Sequence, residues 1–498
     1  MNEAAIIKLI FGLKIHQLRR DNSLSYQQLS DKTGLAISYL HNIEKGKKYP
    51  KADKIIALAK ALGTNYNYLV SLEADKRLQP IIDLVQSDFL KLFPLDLFGI
   101  SLTKLMELLV QAPDKVNAFI STVLKITRNY HLQGEDFYRA ALRSFQDIQN
   151  NYFKDIEQAV QTFSATKKIA ARIGFKPNEL ERLLMEEFGI VVNRELLHTK
   201  PELKEVRSFF VPKQRVLYIN DNLEVASENF LLAKEIGFQV LKPEVRPLET
   251  RMIEVESFEK LLANFKASYF AVALLLQEDA MIQEVETMAQ WQYWQADQFH
   301  DLLNKYHVSQ EMLLQRFANI LPRHFNIDNL FFLRFYTGPD LQKFKMTKEM
   351  HLSQLHSPHA NQLDEHYCRR WISINLIRQL KAQQSIENYT GGLVGAQISN
   401  YWDTQKSYLC ICMAKPEHNK PDFSVSFTIG LLIDDKLRRL FKFIDDPKLK
   451  VKQVHTTCER CPISDCGARA VPPIELQRQR SRKEIKQSLE QLHASVRV

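Results

Sequence analysis

Residues 24–50, LSYQQLSDKTGLAISYLHNIEKGKKYP, constrain this 498-residue chain more than any other stretch. Leu24, Leu29, Leu40 and Ile43 supply the apolar spacing of two short helices. Ser25 followed by Gln28 forms a capping box that satisfies two orphan amide donors at the start of the first helix. Thr33-Gly34-Leu35 breaks that helix at a residue tolerant of left-handed backbone angles. The second helix is expected from Ile37 to Lys45, with Gly46 at the position of a terminating C′ glycine. Two short helices joined by a glycine turn make a helix-turn-helix, whose second helix enters the DNA major groove.

The stretch resembles the helix-turn-helix of the phage-repressor-like (XRE) family, including the Glu44-Lys45-Gly46 ending and the following Pro50. The resemblance implies that Ile37, Ser38, His41 and Asn42 lie on the exposed N-terminal side of the recognition helix. Asn pairs bidentately with adenine, and Ser reaches several base edges. Tyr26, Gln27, Lys45, Lys47 and Lys48 would hold phosphates, which sets register without reading sequence. A unit this small is expected to bind a double-stranded operator as a homodimer or homotetramer.

The net charge of +9 suits a polyanionic partner, although charge alone does not separate DNA from a membrane surface. Tyr269–Leu276, the longest unbroken apolar run, is far shorter than the roughly 18 residues a membrane span needs. The N-terminal MNEAAIIKLIFGLKIHQLRR reads as an amphipathic helix rather than a secretion signal. Six cysteines in so long a chain do not make a disulfide framework, and their clustering points to metal in a reducing cytoplasm, with no membrane partner.

The expected fold is multidomain and predominantly α with an α+β sensor. Residues 1–76 form an all-α helix-turn-helix domain of about five helices, and 77–165 a helical connector or oligomerisation block. In 166–320, Arg207–Asn222 alternates as a strand hairpin, a helix follows around Leu232–Phe238, and Phe258–Leu276 reads as a buried helix. That order resembles the zinc-metallopeptidase-like domain found behind some XRE modules. Active members carry HExxH on the first helix, with two His as zinc ligands and Glu as general base. Here the corresponding residues are Lys234, Glu235 and Phe238, so a zinc-dependent peptidase that cleaves a repressor or itself is disfavoured and the chain is expected not to be an enzyme. The domain is expected to keep its cleft for ligand binding. Residues 321–473 suggest an antiparallel-sheet C-terminal domain, and 474–498 a charged surface helix.

Cys458, Cys461 and Cys466 lie within nine residues and can all reach one inorganic centre. Cys368 is the first candidate for a fourth ligand, while Cys410 and Cys412 share one face of a strand. Zinc and a [4Fe–4S] cluster both remain open on chemistry alone, and the uneven spacing leans toward the cluster. His351, His356, His359 and His366 are spaced too loosely to be assigned a metal.

The XRE module, the degenerate peptidase-like domain and the terminal CxxCxxxxCxxRAxPP pattern together resemble the short-chain fatty-acid transcriptional regulator family. Further carriers are Gln149–Ile156, Tyr269-Phe270-Ala271, Phe331-Phe332-Leu333-Arg334 and Cys368-Arg369-Arg370-Trp371; Val471 stands where an aromatic is usual. The resemblance implies a bacterial regulator of propionate, acetate or methylcitrate metabolism. Cys368, Cys458, Cys461 and Cys466 would hold a [4Fe–4S] cluster, and an acyl-CoA would be the effector. Arg207, Lys234, Tyr269 and Arg334 are the candidate effector contacts, chosen by motif position because an acyl-CoA needs cations and an apolar slot.

Overall fold

The computed structural model describes residues 3–71, 134–199, 201–203, 206–249, 255–352, 365–387, 389 and 391–496. Most of the expected connector, 77–133, and His356 and His359 lie outside the described residues. The chain divides into two compact units, Met1–Phe145 with Ile253–Leu262, and Gln146–Met252 with Ala263–Val498.

In the first unit, helices α1 (Glu3–Asp21), α2 (Tyr26–Thr33), α3 (Ile37–Glu44), α4 (Ala52–Ala61) and α5 (Tyr66–Val70) surround one core of Phe11, Ile15, Leu29, Leu40, Ile43, Ile55, Leu58 and Leu69. The capping box forms as expected: Gln28 N donates to Ser25 Oγ at 3.2 Å, and Ser25 N donates to Gln28 Oε1 at 2.8 Å. Gly34 takes φ 70°, the left-handed angle the turn between α2 and α3 requires. A glycine is also needed at position 12, because a Cβ there would come within 2.3 Å of Ile43 O. The backbones of α1 and α3 therefore lie in close contact, which fixes the recognition helix on its support.

The second unit contains α7 (Lys154–Thr166), α8 (Pro177–Phe188) and a small sheet in which β3 (Val216–Ile219) lies between β1 (Val191–Asn193) and β2 (Ser208–Val211). The expected hairpin is the antiparallel β2–β3 pair, with Phe209 opposite Tyr218. Helix α9 (Val225–Leu241) follows and buries Leu232, Lys234, Glu235 and Ile236 alike. Next come α10 (Phe258–Leu275), α11 (Glu278–Ala289), α12 (Asp297–Tyr306) and α13 (Gln310–Phe325). The earlier α6 (Gly134–Ile148) and α10 are each divided between the two units, after Phe145 and after Leu262.

A six-stranded sheet completes this unit, in the order β5-β4-β8-β7-β6-β9. Its strands are β4 (Leu330–Thr337), β5 (Phe344–His351), β6 (Leu393–Tyr401), β7 (Ser407–Glu417), β8 (Lys420–Leu432) and β9 (Lys450–Val454). The expected antiparallel sheet is present with one difference: β9 joins the β6 edge in parallel, Ile398 opposite Val451. This pairing is possible because α15 (Asp435–Leu440) and the turns after it carry the chain back across the sheet before β9 begins. Helix α14 (Ile372–Glu387) covers one face, over a core of Phe331, Phe335, Trp371, Ile377, Tyr401 and Tyr408. The last helix, α16 (Ile474–Val496), is exposed from Gln479 through Leu492.

Candidate functional site

The recognition helix is the first candidate. On α3, Leu40 and Ile43 are fully buried, whereas Ile37, Ser38 and His41 are exposed and Asn42 is half-buried. Four residues thus share the outward face at helical spacing, as the base-reading assignment requires. Lys47 and Lys48 are exposed just past the helix, and their amides donate to Asn42 O at 2.9 and 3.1 Å. Gln27 is exposed, its amide bound to Asp31 at 2.9 Å, and Lys45 is half-buried.

Tyr26 departs from the expectation. Its hydroxyl donates to Glu44 Oε2 at 2.7 Å, and the Arg19 guanidinium stacks 4.1 Å from its ring. Glu44 is buried and also accepts from His16 Nδ1 at 2.7 Å and from Arg19 Nε and Nη2 at 2.6 and 3.0 Å. Burial alone would raise its pKa, but the hydrogen bonds from His16, Arg19 and Tyr26 outweigh burial and hold it down at about 2. Tyr26 therefore joins α1, α2 and α3 to one carboxylate instead of presenting its hydroxyl to a phosphate. A helix pattern locates the tyrosine but does not show the buried acid that takes its proton donor.

The second candidate is the peptidase-like cleft on α9. Glu235, which occupies the general-base position, is buried and gripped by Arg246: Nη1 donates to Oε1 at 2.8 Å and Nη2 to Oε2 at 2.7 Å. Gln239 Nε2 adds a third donor at 2.7 Å. Lys234 is buried and donates to Asn264 Oδ1 at 2.7 Å; burial and the neighbouring Arg246 push its pKa down to about 7. The Arg246 guanidinium also stacks on Phe238, 3.9 Å from the ring centre. What remains is a cavity of about 10 Å³ lined by Lys234, Glu235, Phe238 and Arg246. That volume holds a single water. The cleft expected to bind an effector is filled by the chain's own arginine.

Tyr269, a third expected effector contact, lies in a separate buried network. Its hydroxyl donates to Glu157 Oε1 at 2.7 Å, and Glu157 pairs with the fully buried Arg316, Nη2 to Oε2 at 3.0 Å. Arg316 Nε donates to Leu276 O at 2.8 Å. This network ties α7, α10 and α13 together and leaves Tyr269 no free hydroxyl. Arg207 and Arg334 do converge, each 3.8 Å from a carboxylate oxygen of Glu417 at the end of β7.

The cysteine region is the third candidate. Tyr367 and Thr457 form an antiparallel bridge, Cys368 N donates to Thr456 O at 3.0 Å, and Cys458 N donates to His366 O at 2.8 Å. This pairing brings Cys368 beside Cys458 and Cys461 despite their separation in sequence, and Cys466 beside Cys461, close enough for the neighbouring thiols to raise the pKa of Cys368 and of Cys461. Burial pushes the Cys368 thiol up to about 11 and also raises Cys461, against the pull of nearby amides. Ala470 N donates to Cys458 Sγ at 3.5 Å. Arg469 clamps the loop from within, donating to Cys458 O at 2.9 Å, to Cys461 O at 3.3 Å and to Ile463 O. Glu459 holds His366 at Nδ1, 2.8 Å, and Arg460 holds Glu365, Nε at 2.9 Å.

Amide and guanidinium donors around protonated thiols suit a thiolate-bound cationic centre, which would reverse the upward pKa shifts. Among the described residues, however, no group of three or more His, Cys, Asp or Glu side chains is placed so as to hold a metal ion. The four thiols are gathered without closing into a ligand set. Cys410 and Cys412 share a face of β7, as the spacing suggested, but that face is the sheet core under α14. Burial there raises both thiols to about 12, while Ser399 and Thr428 hydrogen-bond to them.

Two segments match known families. Residues 12–74 match the helix-turn-helix domain family, and residues 185–318 match the IrrE N-terminal-like domain family. The chain is similar to a solved Mycobacterium tuberculosis transcriptional regulator, with 17% identity and a TM-score of 0.47, over 67% of this chain and 94% of that one. No curated relative matches the chain. No described helix is long and apolar enough to cross a membrane. An XRE-type helix-turn-helix domain and an IrrE-like domain are thus present in one chain.

Proposed function

We propose that this chain is a transcription regulator that reads duplex DNA with α3 and senses metabolic state through its second unit. The observation that carries the reading is the outward face of α3: Ser38 and His41 are exposed and Ile37 is 41% exposed, over a buried Leu40 and Ile43. With its inner face packed on the core, the helix can present this outer face to a major groove. Ile37 suits a thymine methyl, and Ser38 and Asn42 suit base edges. Gln27, Lys45, Lys47 and Lys48 supply phosphate contacts, and a homo-oligomer would pair two such helices on a repeated site.

In this reading Cys368, Cys458, Cys461 and Cys466 hold a [4Fe–4S] cluster, and a short-chain acyl-CoA is the effector. The cluster assignment is supported by the thiols' convergence and by the donors around them; a structural zinc on the same cysteines is the rival. The acyl-CoA assignment is supported by the family resemblance of the sequence. Catalysis is not part of the reading, because Lys234 and Phe238 replace the two histidines and Arg246 occupies the carboxylate of Glu235.

The test is anaerobic purification, assay of iron, acid-labile sulfide and zinc, and duplex binding by fluorescence anisotropy with and without a short-chain acyl-CoA. The expected result is about four irons and four sulfides per chain and an affinity that the acyl-CoA changes by roughly tenfold, a coupling of ordinary size. A protein without metal that ignores duplex DNA at low salt overturns the proposal.

A further inference from the structure

Two guanidinium groups flank the cysteine loop without a carboxylate to neutralise them. Arg369, next to Cys368, is buried; its Nη2 donates to Gln342 O at 2.6 Å, and its guanidinium lies 4.5 Å from the centre of the Phe344 ring. Arg469 is half-buried and donates to the carbonyls of Cys458, Cys461 and Ile463. Among the described residues neither arginine forms an ion pair, and the acids nearby are already engaged. Glu459 accepts from His366 N at 3.0 Å and from His366 Nδ1 at 2.8 Å, and Glu365 pairs with Arg460.

A carbonyl dipole and a ring face offset part of the cost of burying a cation, but they carry no net charge. The groups within electrostatic reach of Arg369 that can carry the opposite sign are Cys458, Glu459 and Cys368, while Arg378 opposes it. Arg469 likewise reaches Cys461. Trp371 adds a further unspent donor: its indole N–H is buried and has no hydrogen-bond partner among the described residues. Neutral thiols would leave both arginines here without a counter-charge. Four thiolates on a dication, whether a zinc ion or an oxidised [4Fe–4S] core, carry about two negative charges. The two guanidiniums match that charge.

We propose that Arg369 and Arg469 are the counter-ions of a doubly negative, thiolate-bound centre held by Cys368, Cys458, Cys461 and Cys466. The inference rests on the reading of those cysteines as a metal centre and adds the residues that balance its charge. Arg469 also ties the loop together through three carbonyls, so its removal would disturb the loop itself. Arg369 bonds to Gln342, outside the loop, and its replacement leaves the loop's own hydrogen bonds in place. It is a positioning residue that acts through charge. On an iron–sulfur centre it would favour the reduced form, which carries one more negative charge.

The test uses the full chain, purified anaerobically with its metal and then stripped with a chelator, as native protein, Arg369→Met and Arg369→Lys. In the loaded protein Arg369→Met is expected to lose metal to excess chelator roughly tenfold faster, the scale of one charge-assisted interaction. Arg369→Lys keeps the charge and should hold its metal nearly as well as the native chain. In the stripped protein Met replaces a buried cation that has no counter-charge, so the thermal midpoint should equal or exceed the native one. For an iron–sulfur centre, a tenfold change in the reduction equilibrium places the midpoint potential of Arg369→Met about 59 mV lower. A side chain that merely packs would cost both forms alike. If Arg369→Met lowers both thermal midpoints equally and leaves metal retention unchanged, the inference is overturned and the metal centre stands. A native chain that carries neither iron nor zinc contradicts the centre and its counter-ions together. Should the stripped chain show no cooperative transition, metal retention alone decides.

Discussion

Arg246 closes both of its terminal nitrogens on Glu235, at 2.8 and 2.7 Å, and so occupies the carboxylate that an active metallopeptidase would use as its base. The guanidinium simultaneously stacks on Phe238, the residue standing in place of the second histidine. The degenerate site is therefore a structural core and not an emptied one. Substituting Glu235 with Gln should leave DNA binding and its response to effector unchanged, although Arg246 then loses its counter-charge and some stability goes with it. Removing Arg246 instead leaves a buried carboxylate uncompensated, and Arg246→Met should lower stability by about 3–5 kcal/mol. Urea denaturation compares the two variants, and peptide turnover by the native chain would contradict the assignment.

Glu44 makes the DNA-binding unit sensitive to acid. Its folded pKa, about 2, lies below the 4.5 of an ordinary glutamate, so its stabilisation is fully present above pH 4.5 and is lost as pH falls toward 2. A shift of that size corresponds to about 3 kcal/mol. Glu44→Gln should destabilise the unit at pH 7 and flatten its stability across that acid window. Hydrogen exchange of the amides in α1 to α5, measured against pH, reads the effect without interference from the second unit.

The cysteines divide into two groups that mutagenesis can separate. On the proposed cluster assignment, Cys461→Ser should abolish iron and sulfide binding, because it removes one of the four proposed ligands. Cys410→Ala, by contrast, should leave metal content unchanged and cost stability through a lost core contact. Metal analysis of the two anaerobically purified variants checks both, and full iron retention in Cys461→Ser contradicts the ligand assignment.

The helix-turn-helix was legible because its signals are local: a capping box, a glycine turn and apolar positions at helical spacing all fall within 24–50. The presence of a sheet within 321–473 was legible for the same reason, although β5 and β9 were not read as strands. What sequence did not reveal are pairings made across the fold. Tyr26 has the position of a phosphate contact, yet its hydroxyl is taken by an acid on the next helix. Tyr269 sits in an apolar run that reads as a pocket wall, but it serves the buried pair of Glu157 and Arg316. Arg246 lies 11 residues beyond Glu235, in a loop with no motif of its own. Arg207 and Arg334 were chosen for their motifs, and only the folded chain brings them to one carboxylate. The parallel β6–β9 edge is equally non-local, since β9 reaches β6 only after the chain recrosses the sheet.

The central claim is that α3 reads base edges while the lysines after it hold phosphate. Fluorescence anisotropy against selected and scrambled duplexes, repeated over a salt series, measures it most directly. Asn42→Ala should lose about 1–3 kcal/mol on the selected duplex and little on the scrambled one, whereas Lys47→Ala should weaken both alike and lower the salt slope by about one. Equal losses from both variants on every duplex, or no binding to any duplex at low salt, would contradict the account.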